Sequence, residues 1–407
     1  MEKRKPQPYL IKVIPKKDAE PKFFDTLHGK WLNERDDEEL LPFHEALKVA
    51  KAHQIASFFR NDQLQLILLP TEECNFRCVY CYQNFEVGRM RPQVVDGIKH
   101  LVERRIGSLR VLEIGWFGGE PLFAYDIVLD LSRFFKQHAE RNGVSLTQHM
   151  TTNGYYLTPD VFEELNALGL NHFQITLDGE AHTHDQKRMR ADGEGTFATI
   201  WENLLHMKGS NRDFTVVLRI NIDLENAPHV PAFIRTLAEH FGHDGRFVLH
   251  LHKVGRWGGP NDDKLRVLGD NGGELLTELY RQAKSLGLRL DLDLRPGSHV
   301  CYAALPYSFV IRADGRVNKC TVALEEPENQ VGRISPDGSL LIHNDLFKAW
   351  VFDNALNDGV CGTCALRPLC EGAACPWIRI KENRRPCPPI KQNPQAYLEL
   401  LREGVSR

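Results

Sequence analysis

The sequence predicts an α/β fold: a partial (β/α)6 barrel followed by a small cysteine-rich C-terminal domain. Three observations lead there. Short apolar runs alternate with helix-patterned stretches six times in succession. Several of those runs carry polar residues at every second position. The ten cysteines fall into two groups, at 74–81 and at 301–387, with none between.

The alternation begins at LQLILLP (64–70), short and uncharged, which reads as a buried strand. PQVVDGIKHLVERRI (92–106) repeats apolar residues at 94/95, 98, 101/102 and 106, the spacing of a helix face. RVLEIGWF (110–117) is a strand, and 124–137 sets Ile127, Val128, Leu131, Phe134 and Phe135 on one helical face. SLTQHMTT (145–152) is paired with a helix through Val161, Phe162, Leu165 and Leu168. HFQITLDG (172–179) is followed by a helix through Phe197, Ile200, Leu204 and Leu205. TVVLRINID (215–223) precedes a helix through Val230, Phe233, Ile234 and Leu237, and RFVLHLHKV (246–254) precedes a helix over 273–287. Repeated strand–helix units imply a parallel sheet with right-handed crossovers.

The polar residues choose between an open sheet and a barrel. Gln174, Thr176 and Asp178 share one strand face, as do Arg219, Asn221 and Asp223, and His250 and His252. Strands covered on both faces read almost entirely apolar. A curved sheet lining a cavity tolerates polar residues on its inner side. An incomplete barrel is therefore expected, with ligand sites at the C-terminal ends of its strands. It should span 64–290. Residues 1–63 are mixed and charged, a candidate peptide-engaging module whose acidic run ERDDEE (34–39) reads as solvated surface. The cysteine-rich domain should span 291–407.

Composition narrows the function. The chain has 407 residues, 42% apolar and 26% charged, with a net charge of −3, so no strong field attracts nucleic acid or an anionic membrane. No run of 18 apolar residues exists, and the basic start MEKRKPQPYLIKVIPKK lacks a signal-peptide core. A cytoplasmic protein is expected, where thiols stay reduced. Ten cysteines there argue for metal or redox chemistry.

The first group reads CNFRCVYCY, with Cys74, Cys78 and Cys81 directly after the first strand. Three thiolates anchor soft metals and iron–sulfur clusters, and an open fourth position marks a catalytic site. Zinc with a distant His is the alternative. One strand later comes WFGGEPL, with Gly118, Gly119 and Glu120. The C-x3-C-x-aromatic-C pattern, with Tyr80 as the aromatic, together with this Gly-Gly-Glu loop, resembles radical S-adenosylmethionine (SAM) enzymes. The resemblance implies a 4Fe–4S cluster on the triad, completed by SAM. It also implies that Gly118–Glu120 binds the SAM amino group, glycine backbone approaching the ammonium and the carboxylate complementing its charge. Asn153 in TTNG resembles a ribose contact, and Asp178 lies in LDG; turn formation beside Gly154 and Gly179 is the alternative for both. Arg219 and Asn221 are candidates for the SAM carboxylate and ribose.

The second group reads C-x13-G-x4-C (Cys301, Gly315, Cys320), C-x2-C-x5-C-x4-C (Cys361, Cys364, Cys370, Cys375), then Cys387. SFVIRADGRVNKC reads as a hairpin around Asp314-Gly315. The pattern resembles the SPASM extension of peptide-modifying radical SAM enzymes. That resemblance implies two auxiliary 4Fe–4S clusters, one on Cys361, Cys364, Cys370 and Cys387, the other on Cys301, Cys320 and Cys375. Four residues separate Cys370 from Cys375 where the family has three. A zinc ribbon is the alternative. In sulfatase-maturating relatives an Asp after the G-x4-C cysteine acts as a base. Here that position is Thr321, which cannot accept a proton at neutral pH.

The expected function is maturation of a ribosomally made precursor peptide by an intramolecular crosslink, carbon–carbon or thioether, with a flavodoxin or ferredoxin as electron donor. Formylglycine formation on a sulfatase and a non-catalytic metal-binding scaffold are the alternatives; reductive cleavage of SAM separates the last from the others.

Overall fold

The computed structural model of the chain describes residues 9–13, 22–32, 43–269, 272–352 and 358–402. The acidic run at 34–39 lies outside them. The fold divides into two compact units. One comprises 61–291 and 307–346; the other comprises 1–60, 292–306 and 347–407.

The first unit carries the predicted alternation. Its strands and helices are β1 (Gln63–Leu68), α1 (Pro92–Ile106), β2 (Val111–Trp116), α2 (Tyr125–Asn142), β3 (Ser145–Thr152), α3 (Pro159–Ala167) and β4 (Leu170–Thr176). Then follow α4 (Ala181–Lys187), α5 (Phe197–Gly209), β5 (Thr215–Ile222), α6 (Val230–Phe241), β6 (Phe247–Lys253), α7 (Gly272–Ser285) and β7 (Arg289–Leu290). Strands β1 to β7 pair parallel in sequence order. Leu64, Leu66 and Leu68 of β1, Leu112, Ile114 and Trp116 of β2, and Val216, Leu218 and Ile220 of β5 are buried, one face of each strand by period two. Val128, Leu131 and Phe135 supply the buried stripe of α2, which ends on Gly143 at φ +65°. The helix expected over 124–137 thus runs five residues further, to Asn142, because the glycine and not the apolar stripe sets its end.

Two features go beyond the sequence reading. The short helix α4 precedes α5, in AHTHDQK, a stretch without an apolar stripe. The hairpin around Asp314-Gly315 forms, as β8 (Ser308–Ile311) and β9 (Arg316–Asn318), and β8 lies parallel beside β1. With β10 (Gln330–Ile334) and β11 (Leu340–Ile342) it extends the sheet to eleven strands among the described residues, in the order β7-β6-β5-β4-β3-β2-β1-β8-β9-β10-β11. The result is a large, mostly parallel sheet. Polar side chains bond between neighbouring strands: Gln65 donates to Glu113 at 2.7 Å, and the Ser308 hydroxyl donates to Gln65 at 2.6 Å.

A buried ion pair fastens the hairpin to the segment after β1. Arg312 is wholly enclosed, and its Nε and Nη2 meet the Glu72 carboxylate at 3.0 and 2.5 Å. Glu325 takes a further bond from the same guanidinium. These two carboxylates hold Arg312 firmly protonated against the cost of burial.

The second unit joins distant segments. Strands Leu10–Val13, Lys22–Asp25 and Lys30–Leu32 form an antiparallel sheet. Val13 and Phe24 share an apolar core with Leu294, Leu366, Leu369, Ile390, Tyr397 and Leu398. Thr26 Oγ1 donates to the Ala365 carbonyl at 2.5 Å, between two cysteines of the C-terminal group. No described helix is long and apolar enough to cross a membrane.

Removing one member of a buried pair strands the other charge. Arg312→Met is expected to lower the unfolding free energy by about 3–5 kcal/mol, measured by urea denaturation under reducing conditions. Adding Glu72→Met should restore part of it.

Candidate active site

Cys74, Cys78 and Cys81 lie on the loop that leaves β1. That loop is held by backbone bonds to the end of α4 and the segment after it: Arg77 N–H to Met189 O at 2.8 Å, Val79 N–H to Lys187 O at 2.9 Å, and Ala191 N–H to Asn75 O at 2.8 Å. Phe76 is buried and meets Tyr155 edge-on. All three thiols are free and partly exposed. The Phe76 N–H donates to Cys74 Sγ at 3.3 Å. Burial pushes the Cys74 thiol up to about 12, with Glu120 and Cys78 adding to it. Cys78 is pushed up to about 11 by burial, against the pull of Arg188. Thiols in this state become good ligands once a cationic cluster supplies positive charge.

The Gly-Gly-Glu loop packs directly on this segment. Gly118 has φ +124°, and a Cβ there would stand 2.2 Å from the Thr71 carbonyl oxygen. A Cβ on Gly119 would stand 2.2 Å from the Glu73 carbonyl oxygen. Both obstacles are backbone, so only glycine fits. Gly119 and Glu120 donate N–H bonds to Thr71 O and Glu73 O. Gln83 Nε2 donates to Gly118 O at 2.8 Å. Glu120 is fully buried, and its carboxylate accepts from Leu122 N–H (2.9 Å), the Thr152 hydroxyl (2.8 Å) and Asn153 N–H (2.7 Å). In this structure it ties the loop to the end of β3. Asn153 Nδ2 reaches Asn75 Oδ1 at 2.8 Å and stands 3.9 Å from Cys74 Sγ.

On the other side of the triad, the ends of β4 and β5 converge on Tyr80. Its hydroxyl donates to Asp178 and accepts from Arg188 Nη1 at 2.8 Å and Asn221 Nδ2 at 3.0 Å. Asn221 N–H donates to Asp178 Oδ1 at 2.9 Å, and Arg219 Nε donates to Asn221 Oδ1 at 2.8 Å. Burial raises the Asp178 carboxyl and Arg188 opposes it. Tyr80, Asp178, Arg219 and Asn221, singled out from sequence, thus form one network. Gly118, Gly119, Glu120 and Asn153 form another, on the Cys74 side.

Arg188, His184 and Gln83 were not legible in the sequence. Arg188 is buried, with its charge on Cys78, Tyr80 and Asp178. His184 supports it from below. The Thr196 hydroxyl donates to Arg188 O at 2.7 Å, so Thr196 Oγ1 accepts from His184 Nε2–H at 3.0 Å. His184 Nδ1 then accepts from the Asp178 N–H at 3.3 Å, which fixes a neutral ring. Asn75 Nδ2, Gln83 Oε1 and Arg188 Nε are buried without a partner among the described residues. Three free thiols on one loop, with partnerless buried polar atoms on Asn75, Gln83 and Arg188, suit a bound cluster and its ligand better than a closed core.

The remaining cysteines lie in both units. Cys320 follows β9; its N–H and that of Lys319 donate to Asn329 Oδ1, both at 2.9 Å. Tyr82 is raised by burial, and the charges acting on it include Cys81, Cys320 and Arg219. In the other unit Cys361, Cys364, Cys370 and Cys387 act on one another electrostatically. Cys375 stands apart from that set, its sulfur facing the N–H groups of Trp377 and Ile378. Cys301 N–H donates to Ala373 O at 2.9 Å.

Residues 68–237 match the family model of the Radical SAM superfamily. This part of the chain is a radical SAM domain. The superfamily uses SAM and a 4Fe–4S cluster. The chain is 23% identical over 364 residues to a cysteine-type anaerobic sulfatase-maturating enzyme of Clostridium novyi, covering 83% of this chain and 92% of that one. It is 23% identical over 266 residues to a PqqA peptide cyclase of Gluconobacter oxydans, 64% of this chain and 70% of the cyclase. Among solved structures, native anSMEcpe with bound AdoMet and Cp18Cys peptide superposes with a TM-score of 0.64 at 17% identity, covering 84% and 98% of the two chains. Streptococcus suis SuiB bound to precursor peptide SuiA superposes with a TM-score of 0.52 at 13% identity, covering 86% and 81%. At these identities the structural likeness concerns the fold.

The radical SAM site should respond to acid through His184. Burial holds this ring well below its ordinary value, so between that lowered value and about 6.5 the unfolded chain binds a proton that the folded chain does not. Stability is therefore present above about pH 6.5 and falls as pH drops through that window. His184→Asn is expected to flatten the slope of unfolding free energy against pH there by up to about 1.4 kcal/mol per pH unit, in urea titrations of metal-free protein.

Proposed function

We propose that the chain matures a ribosomally made peptide by forming an intramolecular crosslink. The observation that carries this reading is the pairing of the radical SAM domain with a second group of cysteines, Cys361, Cys364, Cys370 and Cys387, whose charges act on Cys361 and Cys370 within one unit. A crosslink is a net two-electron oxidation. One hydrogen atom is removed by radical chemistry; as the new bond closes, the second site loses a proton to solvent and the remaining electron passes to an acceptor close by. When bound, the cluster and SAM supply a 5′-deoxyadenosyl radical that takes a hydrogen atom from an unactivated C–H bond.

The chain's own residues hold and aim. Cys74, Cys78 and Cys81 would bind the SAM-binding cluster. The backbone of Gly118–Glu120 would receive the SAM amino group. Arg219 would meet the carboxylate and Asn153 and Asn221 the ribose, with the buried Asp178 bracing Tyr80 and Asn221. Cys361, Cys364, Cys370 and Cys387 would bind one auxiliary cluster, and Cys301, Cys320 and Cys375 the other. A flavodoxin- or ferredoxin-type protein would deliver the electron, in a reducing, cytoplasmic setting. The partial barrel expected from the polar strand faces would enclose the peptide. The likeness to PqqA peptide cyclase over 64% of the chain supports a peptide substrate. Thr321 supports a crosslink over formylglycine formation, since no carboxylate base follows Cys320. Sulfatase maturation is the second reading, favoured by the match to 92% of the clostridial sulfatase-maturating enzyme.

Co-expression with a short peptide encoded beside the gene is expected to lower the peptide mass by two hydrogens, read by mass spectrometry. Formylglycine on a co-expressed sulfatase would favour the second reading. In anaerobic assays with dithionite, Cys78→Ala should reduce 5′-deoxyadenosine to background. Cys361→Ala should leave it measurable while the crosslinked product is lost.

A further inference from the structure

A cation is built against the four-thiol group. Lys391 Nζ lies 3.1 Å from Cys364 Sγ. The side chain is exposed, but its root is fixed. Lys391 closes the turn Pro389–Lys391, with its N–H on Pro388 O at 2.9 Å, and two prolines set the backbone before it. Ile390, 1% exposed, is set in the apolar core with Leu366 and Leu369, and Cys364 packs against the same core. One rigid cluster therefore holds both ends of the contact. The lysine charge also acts on Cys361 and Cys387. Arg385 faces the same two cysteines, but it is paired with Asp358 at 2.6 Å, which offsets its charge locally.

A cluster held by four thiolates is anionic, and each reduction adds one more negative charge. A charged N–H on a ligand sulfur stabilises the reduced form more than the oxidised form. We propose that Lys391 sets the reduction potential of a cluster held by Cys361, Cys364, Cys370 and Cys387, through its hydrogen bond to the Cys364 sulfur. The inference rests on the auxiliary-cluster reading above. The couple is one electron with no proton: the oxidised cluster gains an electron, from the substrate radical as its new bond closes in turnover, or from dithionite in the test. Lys391 makes that electron easier to accept and acts as a positioning residue, since it touches a ligand and not the substrate.

The test uses full-length protein in which Cys74, Cys78, Cys81 and Cys320 are alanine, reconstituted anaerobically with iron and sulfide and titrated with dithionite under electron paramagnetic resonance. Lys391→Met is expected to lower the reduced fraction at a fixed potential about three- to tenfold, a midpoint ~30–60 mV more negative at 59 mV per tenfold. Lys391→Arg should stay within about twofold of the parent, because it keeps charge and donor. Iron and sulfide content should be the same in all three. An unchanged midpoint in Lys391→Met at full iron content would overturn the inference while leaving the auxiliary cluster in place. Loss of iron in Lys391→Met would also overturn it, by making the lysine an assembly element. A parent that binds no iron would overturn the auxiliary-cluster reading and this inference together.

Discussion

The site depends on one constraint: the loop carrying Cys74, Cys78 and Cys81 must hold three thiols apart before anything binds them. The loop has neither helix nor strand, and its own bonds are few: Cys81 N–H to Cys78 O, Phe76 N–H to Cys74 Sγ, and Arg77 to the Cys74 and Phe76 carbonyls. It is clamped from outside. The Gly-Gly-Glu backbone takes the carbonyls of Thr71 and Glu73, the end of α4 and the segment after it take Asn75 to Val79, and Arg312 takes Glu72. The glycines at 118 and 119 are then packing requirements of the clamp, whatever they bind. Glu120 belongs to the same clamp from below, its carboxylate saturated by Leu122, Thr152 and Asn153.

Polar groups buried at the ends of β4 and β5 are arranged so that each answers another. Tyr80 joins Asp178, Arg188 and Asn221, Asn226 bonds the backbone of both Asp178 and Asn221, and His184 braces Asp178 and Thr196. In a low-dielectric interior such a network is stiff when complete and costly when broken. The atoms left over, on Asn75, Gln83 and Arg188, border the cysteine loop and not the core. Those three lie where a ligand would meet them, while others lie elsewhere, on Tyr9, Asp62, His299 and Asn318.

Much of this was legible in the residues. Strand and helix periodicity is local, so the six units from Leu64 to Ser285 could be read in order, and the Asp314-Gly315 turn announced its hairpin. Asp178 and Asn221 stood out because a polar residue on a parallel strand needs a reason, and Tyr80 because it is the aromatic of the cysteine motif. What escaped was long-range or aperiodic. No pattern in the sequence says that β8 pairs with β1, or that Arg312 meets Glu72 across 240 positions. Arg188 and His184 lie in α4 and its exit, where no apolar stripe marks a helix. The N-terminal strands packing with Leu366 and Ile390 could not be inferred from composition at all.

That last arrangement bears on biogenesis. The unit holding the four-thiol group draws on residues 1–60 and on 347–407, so its first strands emerge long before their partners exist. At about 5–20 residues per second, the wait during translation is on the order of tens of seconds. The parallel unit has most of its chain available throughout that interval. A nascent chain of this topology would therefore mature in a fixed sequence, with the triad loop framed first and the thiols at 361–387 gathered only after that stretch has emerged.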